Sequence, residues 1–222
     1  MVKRGYQEDF YTLYKEYQNH DNRLSKGEKA LFALNNFSGT NLAELSCLDL
    51  GCSNGIITTY LQPHFAKIIG LDYDKVAMGM ITPSQKESSP FIRGDAMVLP
   101  FLDNSFDAVI CALVYEHVPD DLILFSEMSR ILKPNGVVFF SGPNRLFPIE
   151  PHHYLPILHW FSPKISDIYL RLTGKGDHFY ERSRTVWNLK KIFTQFAIRD
   201  ITIPVTRFYA KRSKSRISQL FY

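Results

Sequence analysis

Residues 46–57 read SCLDLGCSNGII, and the predicted fold depends on this stretch. It begins with an apolar run typical of a buried strand, continues through a turn with two glycines, and ends in residues that start a helix. Glycines permit positive φ and close backbone approach, and the first N–H groups of a helix attract anions. The stretch therefore predicts a strand–turn–helix corner that binds a nucleoside or another anionic ligand.

Further apolar runs continue the pattern along the chain. The strands that they predict lie at 67–72, 91–93, 106–111, 137–141, 198–204 and 205–209. Strands that alternate with helices predict a mostly parallel sheet, here of seven strands, with helices on both faces. Ligands of such sheets bind at the carboxyl ends of the strands. The segments that we expect to converge there are Gly51–Gly55, Asp72, Asp95 and Cys111–His117.

Composition and charge limit the classes of protein to consider. The chain has 222 residues, a net charge of +4 and three cysteines without C-x-x-C spacing, which disfavours a thiolate metal site and fits a reducing compartment. The sequence shows no apolar leader and no run of 18 apolar residues, so we expect a cytoplasmic protein. Five basic residues and no acid lie in 201–222, either as a solvated tail or as a patch for an anionic substrate or membrane surface.

Asp72 ends the second strand, 21 residues after Gly51, where an acid can accept hydrogen bonds from both ribose hydroxyls. Dinucleotide-binding proteins use the same arrangement, but their fingerprint needs glycines at 51, 53 and 56. Here Ser53 and Ile56 replace two of them, and the last glycine is Gly55. The dinucleotide fingerprint therefore fails.

Residues 45–145 instead resemble the class I S-adenosylmethionine-dependent methyltransferases. DLGCSNG at 49–55 is similar to their D-x-G-x-G-x-G motif, with Ser53 in place of the middle glycine, a substitution that fits if φ is negative. GDA at 94–96, LPF…SFDAV at 99–109, EHV at 116–118 and LKPNG at 132–136 match later blocks. The nearest subgroup is the small-molecule branch that includes ubiquinone-biosynthesis methyltransferases. The resemblance implies a Rossmann-like fold and cofactor contacts at Asp49, Gly51, Cys52, Ser53, Gly55, Asp72, Tyr73, Asp95, Ala96, Cys111 and Ala112.

The resemblance also divides the chain, which we expect to be a single domain. Residues 1–44 would form a helical cap, in which an aromatic stripe of Tyr6, Phe10, Tyr14 and Tyr17 either packs on the body or covers the crevice as a lid. Residues 45–145 would bind the cofactor, 146–185 would be an insertion on the acceptor side, and 186–222 would add a last helix and strands.

Methyl transfer requires alignment of a nucleophile, and a base only if the acceptor must lose a proton. The base candidates are His117, Glu150, His152 and His153, and Tyr115 is a candidate positioning residue. Glu150 and His152 are two residues apart in a proline-rich loop, so both side chains can point into the crevice. Some related O-methyltransferases bind a divalent ion through E-x-x-E-H and a later histidine. Leu113 replaces the first of these glutamates, so we expect no metal.

The apolar and aromatic run at 154–161 leaves three interpretations open: core packing, a pocket or membrane-contact face for a hydrophobic acceptor, or a dimer contact. Nucleic acid is disfavoured, because no array of alternating basic and aromatic residues occurs. The sequence therefore predicts methyl transfer from S-adenosyl-L-methionine to a small or lipid-like acceptor, with oxygen favoured and S-adenosyl-L-homocysteine as product. The alternatives are an inactive S-adenosylmethionine-binding regulatory subunit and an NAD-dependent oxidoreductase.

Overall fold

The computed structural model of the protein describes residue 8, residues 10–13 and residues 18–212, with only the backbone of 13, 211 and 212. The strands are β1 (Ser46–Leu50), β2 (Lys67–Asp72), β3 (Phe91–Arg93), β4 (Phe106–Ala112) and β5 (Leu132–Ser141). The α-helices are α1 (Phe10–Leu13), α2 (His20–Phe37), α3 (Ile56–Leu61), α4 (Lys75–Gly79), α5 (Pro83–Ser88), α6 (Asp121–Ile131), α7 (Pro163–Thr173), α8 (Val186–Ile192) and α9 (Thr202–Arg212).

The strands form one parallel sheet in the order β3-β2-β1-β4-β5. Leu50, the last residue of β1, pairs with Leu71 on one side and with Cys111 on the other. The central strands therefore end side by side. Directly after β1, the N–H groups of Gly51 and Cys52 both donate to the Leu71 carbonyl, at 2.8 and 3.1 Å. The predicted parallel sheet and its shared carboxyl edge are confirmed.

Helices cover both faces of the sheet because side chains alternate along the strands. In β1, Leu48 and Leu50 belong to a cluster that also contains Phe125 and Met128 of α6. Cys47 belongs instead to the cluster on the opposite face. That second cluster buries residues of α2 and α3, namely Ala30, Ala33, Leu34, Ile57 and Leu61.

The two strands predicted at 198–204 and 205–209 are wrong. Residues 202–212 form α9, so the sheet in the described part of the chain has five strands rather than seven. Ile201 and Val205 are four residues apart and pack against the cluster on the α2 face. Phe208 stacks on Phe32 of α2, with ring centroids 4.0 Å apart. The β-branched residues favour a strand only weakly, and their helical spacing lets one face of a helix bury them.

The cap and the insertion position side chains at the carboxyl edge. The chain enters the described region through α1 and α2, and the predicted aromatic stripe is described there only at Phe10; Tyr6, Tyr14 and Tyr17 lie outside the described residues. After β5, the chain turns back at 149–156, where Glu150 N–H donates to the Leu155 carbonyl at 2.9 Å. Among the described helices, none is both long and apolar enough to cross a membrane.

Candidate active site

A cavity open to solvent lies at the carboxyl edge of the sheet, with about 790 Å³ of space that includes open solvent. Many residues predicted from the sequence meet there although they come from different strands. The predicted cofactor residues that line it are Gly51, Ser53, Asp72, Tyr73, Asp95, Ala96 and Ala112, and His117 lines it as well.

The other four predicted cofactor residues do not line this cavity. Asp49 is buried and accepts a 2.6 Å hydrogen bond from Thr58 Oγ1, which joins β1 to α3. Burial raises its pKa to about 6. Cys52 and Cys111 are completely buried, and Gly55 takes φ 76 where α3 begins. These residues shape the wall behind the cavity rather than its surface.

Asp72 is held in place by the backbone on either side of it. Its two carboxylate oxygens accept hydrogen bonds from Ser53 N–H at 2.7 Å and from Asp74 N–H at 2.8 Å. Burial raises its pKa, and these two hydrogen bonds oppose the rise. Each carboxylate oxygen can accept a further bond, so both hydroxyls of a ribose could still be bound.

Ser53 has φ 53, so the condition under which serine would fit without strain, a negative φ, is not met. The glycine that the motif usually carries would meet no strain in this left-handed region, whereas serine does. Leu113 lies across the cavity and also has a positive φ, of 59. Strained non-glycine residues cluster at functional sites when the surrounding structure holds them, and both of these residues line the cavity.

A buried group of histidines and carboxylates lies beside the cavity. His152 Nδ1 is 2.7 Å from Glu150 Oε1, so the two side chains contact each other, but neither of them lines the cavity. The ring of His117 stands perpendicular to the ring of His152, with centroids 4.9 Å apart. Burial would lower the pKa of His152, but the bond to Glu150 and nearby carboxylates raise it overall. Burial lowers the pKa of His117, which favours its neutral form.

Glu116 is completely buried, and neither of its carboxylate oxygens accepts a hydrogen bond from another described residue. Burial raises its pKa to about 7. Glu116, His117 and His152 each offer a ligand atom within 4.8 Å of the others, so they could hold a divalent cation. From the sequence we expected no metal, because Leu113 stands where the ligand motif has its first glutamate. In the structure a third candidate ligand, His152, comes from a separate loop and lies close to Glu116 and His117.

Tyr115, the candidate positioning residue, and His153, the remaining base candidate, do not line the cavity. The Tyr115 hydroxyl donates to the Pro143 carbonyl at 2.5 Å and accepts from Arg184 N–H at 3.1 Å. Tyr115 therefore holds the loop that follows β5. His153 Nε2 lies 3.9 Å from Glu181 Oε2, and its backbone N–H donates to Glu150 at 2.6 Å. These contacts support the Glu150 loop rather than the surface of the cavity.

Phe10 and Arg23 are among the cavity residues that were not predicted as site residues from the sequence. Phe10 of α1 lines the cavity and contacts His117, with ring centroids 4.5 Å apart. The sequence placed Phe10 in an aromatic stripe that either packs on the body or covers the crevice, but it did not predict the contact with His117. Arg23 of α2 also lines the cavity, although it lies in a polar stretch that resembles an exposed helix. No sequence signal distinguishes it from neighbouring charged residues.

Comparisons with known proteins agree with this geometry. Residues 48–140 match the family described as "Methyltransferase domain". The chain is 31% identical over 143 residues to a demethylmenaquinone methyltransferase of Staphylococcus aureus, covering 62% of this chain and 58% of that protein. It is 29% identical over 146 residues to a ubiquinone biosynthesis O-methyltransferase of Pseudomonas fluorescens, covering 64% and 59%. The solved structure of the YcgJ protein from Bacillus subtilis shares the fold, with TM-score 0.54, 21% identity and coverage of 78% and 67%.

The parallel sheet, the glycine turn and Asp72 thus form an α/β architecture with a cavity at the carboxyl ends of its strands. Within residues 48–140 the chain is similar to the methyltransferase-domain family, and both curated relatives are named as methyltransferases. The chain spans a little under three fifths of the length of each curated relative that it matches here.

Proposed function

We propose that this protein transfers a methyl group from S-adenosylmethionine to a hydroxyl oxygen of a small or lipid-like acceptor. One observation carries the proposal: the ring of His152, which is paired with Glu150, contacts the ring of His117, and His117 lines the same cavity as Asp72 and the glycine turn. A hydroxyl acceptor must lose a proton during transfer, and a paired carboxylate and histidine can take it.

The cofactor supplies an activated methyl group as a sulfonium when it is bound. Asp72 would bind the ribose, and Asp95 and Ala96 would bind the adenine, because all three line the cavity at the carboxyl ends of β2 and β3. These residues leave the side of the cavity formed by Leu113, Val114 and His117 for the acceptor. His117 is the polar group on that side.

His117 and His152 would have different roles in removing the proton from the acceptor hydroxyl. His117 would contact the acceptor hydroxyl in its neutral form, which burial favours. The hydroxyl proton would pass to one ring nitrogen of His117 as its other ring nitrogen gives up a proton to His152 behind it. Glu150 fixes the tautomer of His152 by accepting from Nδ1, which leaves Nε2 as the basic nitrogen, and its charge stabilises the imidazolium that forms. The arrangement is that of an oriented general base.

A lipid-like acceptor is supported by an apolar face beside the insertion. Ile165, Ile168 and Leu172 are exposed along α7, next to Phe161, and Lys164 and Arg171 flank them on the same helix. Exposed apolar patches rimmed by basic residues suit contact with an anionic membrane surface. The two curated relatives are named for quinone-type substrates, which supports a ring-bearing acceptor with an apolar tail.

The proposal is tested by incubating the protein with methyl-labelled S-adenosylmethionine and a lipid extract, and by locating the label in the product by mass spectrometry. We expect S-adenosylhomocysteine release and label on oxygen. Label on carbon would mean that the methylated atom is carbon and not the proposed oxygen. Cofactor binding without any release would favour the regulatory-subunit alternative. Calorimetry that detects NAD but no S-adenosylmethionine would favour the oxidoreductase.

His152→Ala should lower turnover by about 10²-fold or more, because it removes the general base, while S-adenosylmethionine affinity stays within about twofold. His178→Ala is the matched control, since His178 is an exposed histidine bonded to Asp167. Wild-type turnover in His152→Ala would remove His152 as the base. If chelation abolishes wild-type turnover and Mn²⁺ or Zn²⁺ restores it, the cation held by Glu116, His117 and His152 activates the hydroxyl instead.

A further inference from the structure

Helix α1 is joined to both sides of the cavity. On the side of Asp72, the backbone N–H of Tyr11 donates to Asp74 Oδ2 at 2.6 Å. On the acceptor side, the ring of Phe10 contacts the ring of His117, with centroids 4.5 Å apart and planes tilted by 60°. Phe10, Asp74 and His117 all line the cavity. One short helix therefore connects the nucleoside side of the cavity to the acceptor side.

The position of α1 depends on contacts with the rest of the protein. The helix has four residues, and a helix this short is unstable in water unless tertiary contacts hold it. Asn54 Nδ2 donates to the Tyr11 hydroxyl, and the Tyr73 hydroxyl donates to Glu8 Oε1, each at 3.4 Å. The bond from Tyr11 N–H to Asp74 is much shorter, and its acceptor is a carboxylate, which makes it the strongest of the three.

The two carboxylate oxygens of Asp74 have different partners. Oδ1 accepts hydrogen bonds from the N–H groups of Val76 and Ala77 and so caps α4. Oδ2 accepts from Tyr11 N–H. The N–H of Asp74 itself donates to Asp72 Oδ1 at 2.8 Å. The carboxylate that holds α1 therefore belongs to the same turn as the acid that would bind the ribose.

His117 depends on neighbouring rings for its position. Its side chain is only 10% exposed. The ring of His152 contacts it with centroids 4.9 Å apart, and the ring of Phe10 with centroids 4.5 Å apart. Phe10 has no polar side-chain atom, so this contact can only restrict the ring of His117 and exclude water from it. A group that moves a proton needs a fixed orientation, and its polar interactions strengthen when water is excluded.

We propose that Phe10 is a positioning residue for His117 and that α1 is a latch, held closed by the bond from Tyr11 N–H to Asp74. While the latch is closed, Phe10 restrains the His117 ring and keeps water from it. When the bond breaks, Phe10 moves away and His117 becomes accessible. A ligand in the cavity would contact Phe10 only in the closed state, so the ligand should favour that state. The use of His117 rests on the proposed function, whereas the latch itself does not.

Two measurements on the full chain test the latch without turnover. Hydrogen–deuterium exchange, followed by mass spectrometry, reports how often residues 10–13 open. Diethylpyrocarbonate modifies neutral imidazole, and peptide mapping of the modified protein reports access to His117. Both are carried out without ligand and with S-adenosylhomocysteine.

The variants separate the latch from the cap of α4. Asp74→Asn removes the oxygen that accepts from Tyr11, but its remaining oxygen can still cap α4, because asparagine and aspartate are equally good N-caps. Asp120→Asn is the matched control: Asp120 caps α6 through two bonds of the same kind, and no hydrogen bond among the described residues joins it to α1. Phe10→Ala removes the ring, and Phe10→Tyr keeps it. Thermal unfolding reports whether each variant folds.

Asp74→Asn should speed exchange at 10–13 by at least about tenfold, as the loss of a hydrogen bond to a charged group requires, and modification of His117 by a similar factor. Phe10→Ala should speed the modification at least as much. Phe10→Tyr and Asp120→Asn should stay within about twofold of the wild-type protein. S-adenosylhomocysteine should slow both processes in the wild-type protein by at least about fivefold.

Turnover in the labelled-methyl assay shows whether the position of His117 matters for the reaction. It should fall by at least about tenfold in Phe10→Ala and be preserved in Phe10→Tyr. Wild-type turnover in Phe10→Ala would mean that His117 needs no positioning by this ring.

Other results would also overturn the inference. Unchanged exchange at 10–13 in Asp74→Asn, or an equal effect of Asp120→Asn, would mean that Asp74 does not hold α1. Faster exchange with unchanged modification of His117 would mean that Phe10 does not cover it. If Asp74→Asn does not fold, equal modification of Phe10→Ala and Phe10→Tyr would refute the contact. Bound S-adenosylhomocysteine without any effect on exchange would separate the latch from the ligand. If calorimetry detects no binding of S-adenosylhomocysteine, the proposed function fails, and the measurements without ligand still decide the latch.

Discussion

Glu116→Gln should change how the stability of the protein depends on pH. The Glu116 carboxyl is completely buried, and neither oxygen accepts a hydrogen bond from another described residue. The charged groups around it are His117, whose Nε2 is 3.8 Å from Oε1, and His152, Glu181 and Lys26. Burial raises its pKa from 4.5 to about 7, so the folded protein holds a proton there that the unfolded chain releases near pH 4.5.

This difference in bound protons determines whether the free energy of unfolding rises or falls with pH. Between pH 4.5 and 7 the native state binds more protons than the unfolded state, so the free energy of unfolding falls as pH rises. At about 1.4 kcal/mol for each pH unit, the separation of the two pKa values corresponds to roughly 3 kcal/mol. Below pH 5 a protonated Glu116 and a glutamine have the same shape and no charge, so the two proteins should be about equally stable.

Denaturant unfolding of wild-type and Glu116→Gln protein from pH 4.5 to 8 measures this difference. We expect the variant to become the more stable protein as pH rises, by roughly 3 kcal/mol at pH 8. Glu87→Gln, at an exposed position of α5, serves as the matched control. A constant difference between wild type and Glu116→Gln across this range, or a variant that loses stability relative to wild type as pH rises, would refute the reasoning.

Two further predictions concern the turn and the ribose site. Asp72→Ala should weaken S-adenosylmethionine binding by at least about tenfold, measured by calorimetry; unchanged affinity would mean that the ribose lies elsewhere. Ser53→Gly should raise the free energy of unfolding by up to about 1 kcal/mol, because it relieves the positive φ of 53. Gly51→Ala should lower it by more than about 1 kcal/mol, because φ is 79 and a Cβ would lie 2.4 Å from Val114 Cγ2. Each variant is compared with the wild-type protein, and an unchanged free energy of unfolding in either one would contradict its prediction.

The parts of the fold that could be predicted from the sequence are those set by local pattern. The runs at 46–50, 67–72 and 91–93 form strands with these bounds. Each is short, apolar and bounded by turn residues, so a strand is the structure that buries it. The segment 198–209 carries equally strand-like residues, but Ile201, Val205 and Phe208 lie on one face of a helix, and packing against α2 decided the outcome.

The candidate site also has features that the sequence predicted and features that depended on tertiary packing. Ser53 shows the limit of interpreting one position: the sequence left the sign of its φ open, and the turn holds it at φ 53, where Asp72 accepts a hydrogen bond from its N–H. Motifs placed Asp72, Asp95 and Ala96 correctly at the cavity because each follows a strand and strand ends meet at one edge. Motifs did not separate the residues on the surface of the cavity from Asp49 and Cys52 behind it, since burial depends on neighbours that are distant along the chain.

The sequence by itself determined the parallel sheet, the glycine turn, the acid that ends β2 and the class of cofactor, because each depends on residues close together in the chain. Only the tertiary structure decided which charges face one another. It placed His152 against His117 and left the Glu116 carboxyl buried between loops that are far apart in sequence. It also brought Arg23 from α2 to the turn at 51–55. Such pairings follow from how helices and loops pack on the sheet, and no local pattern encodes them.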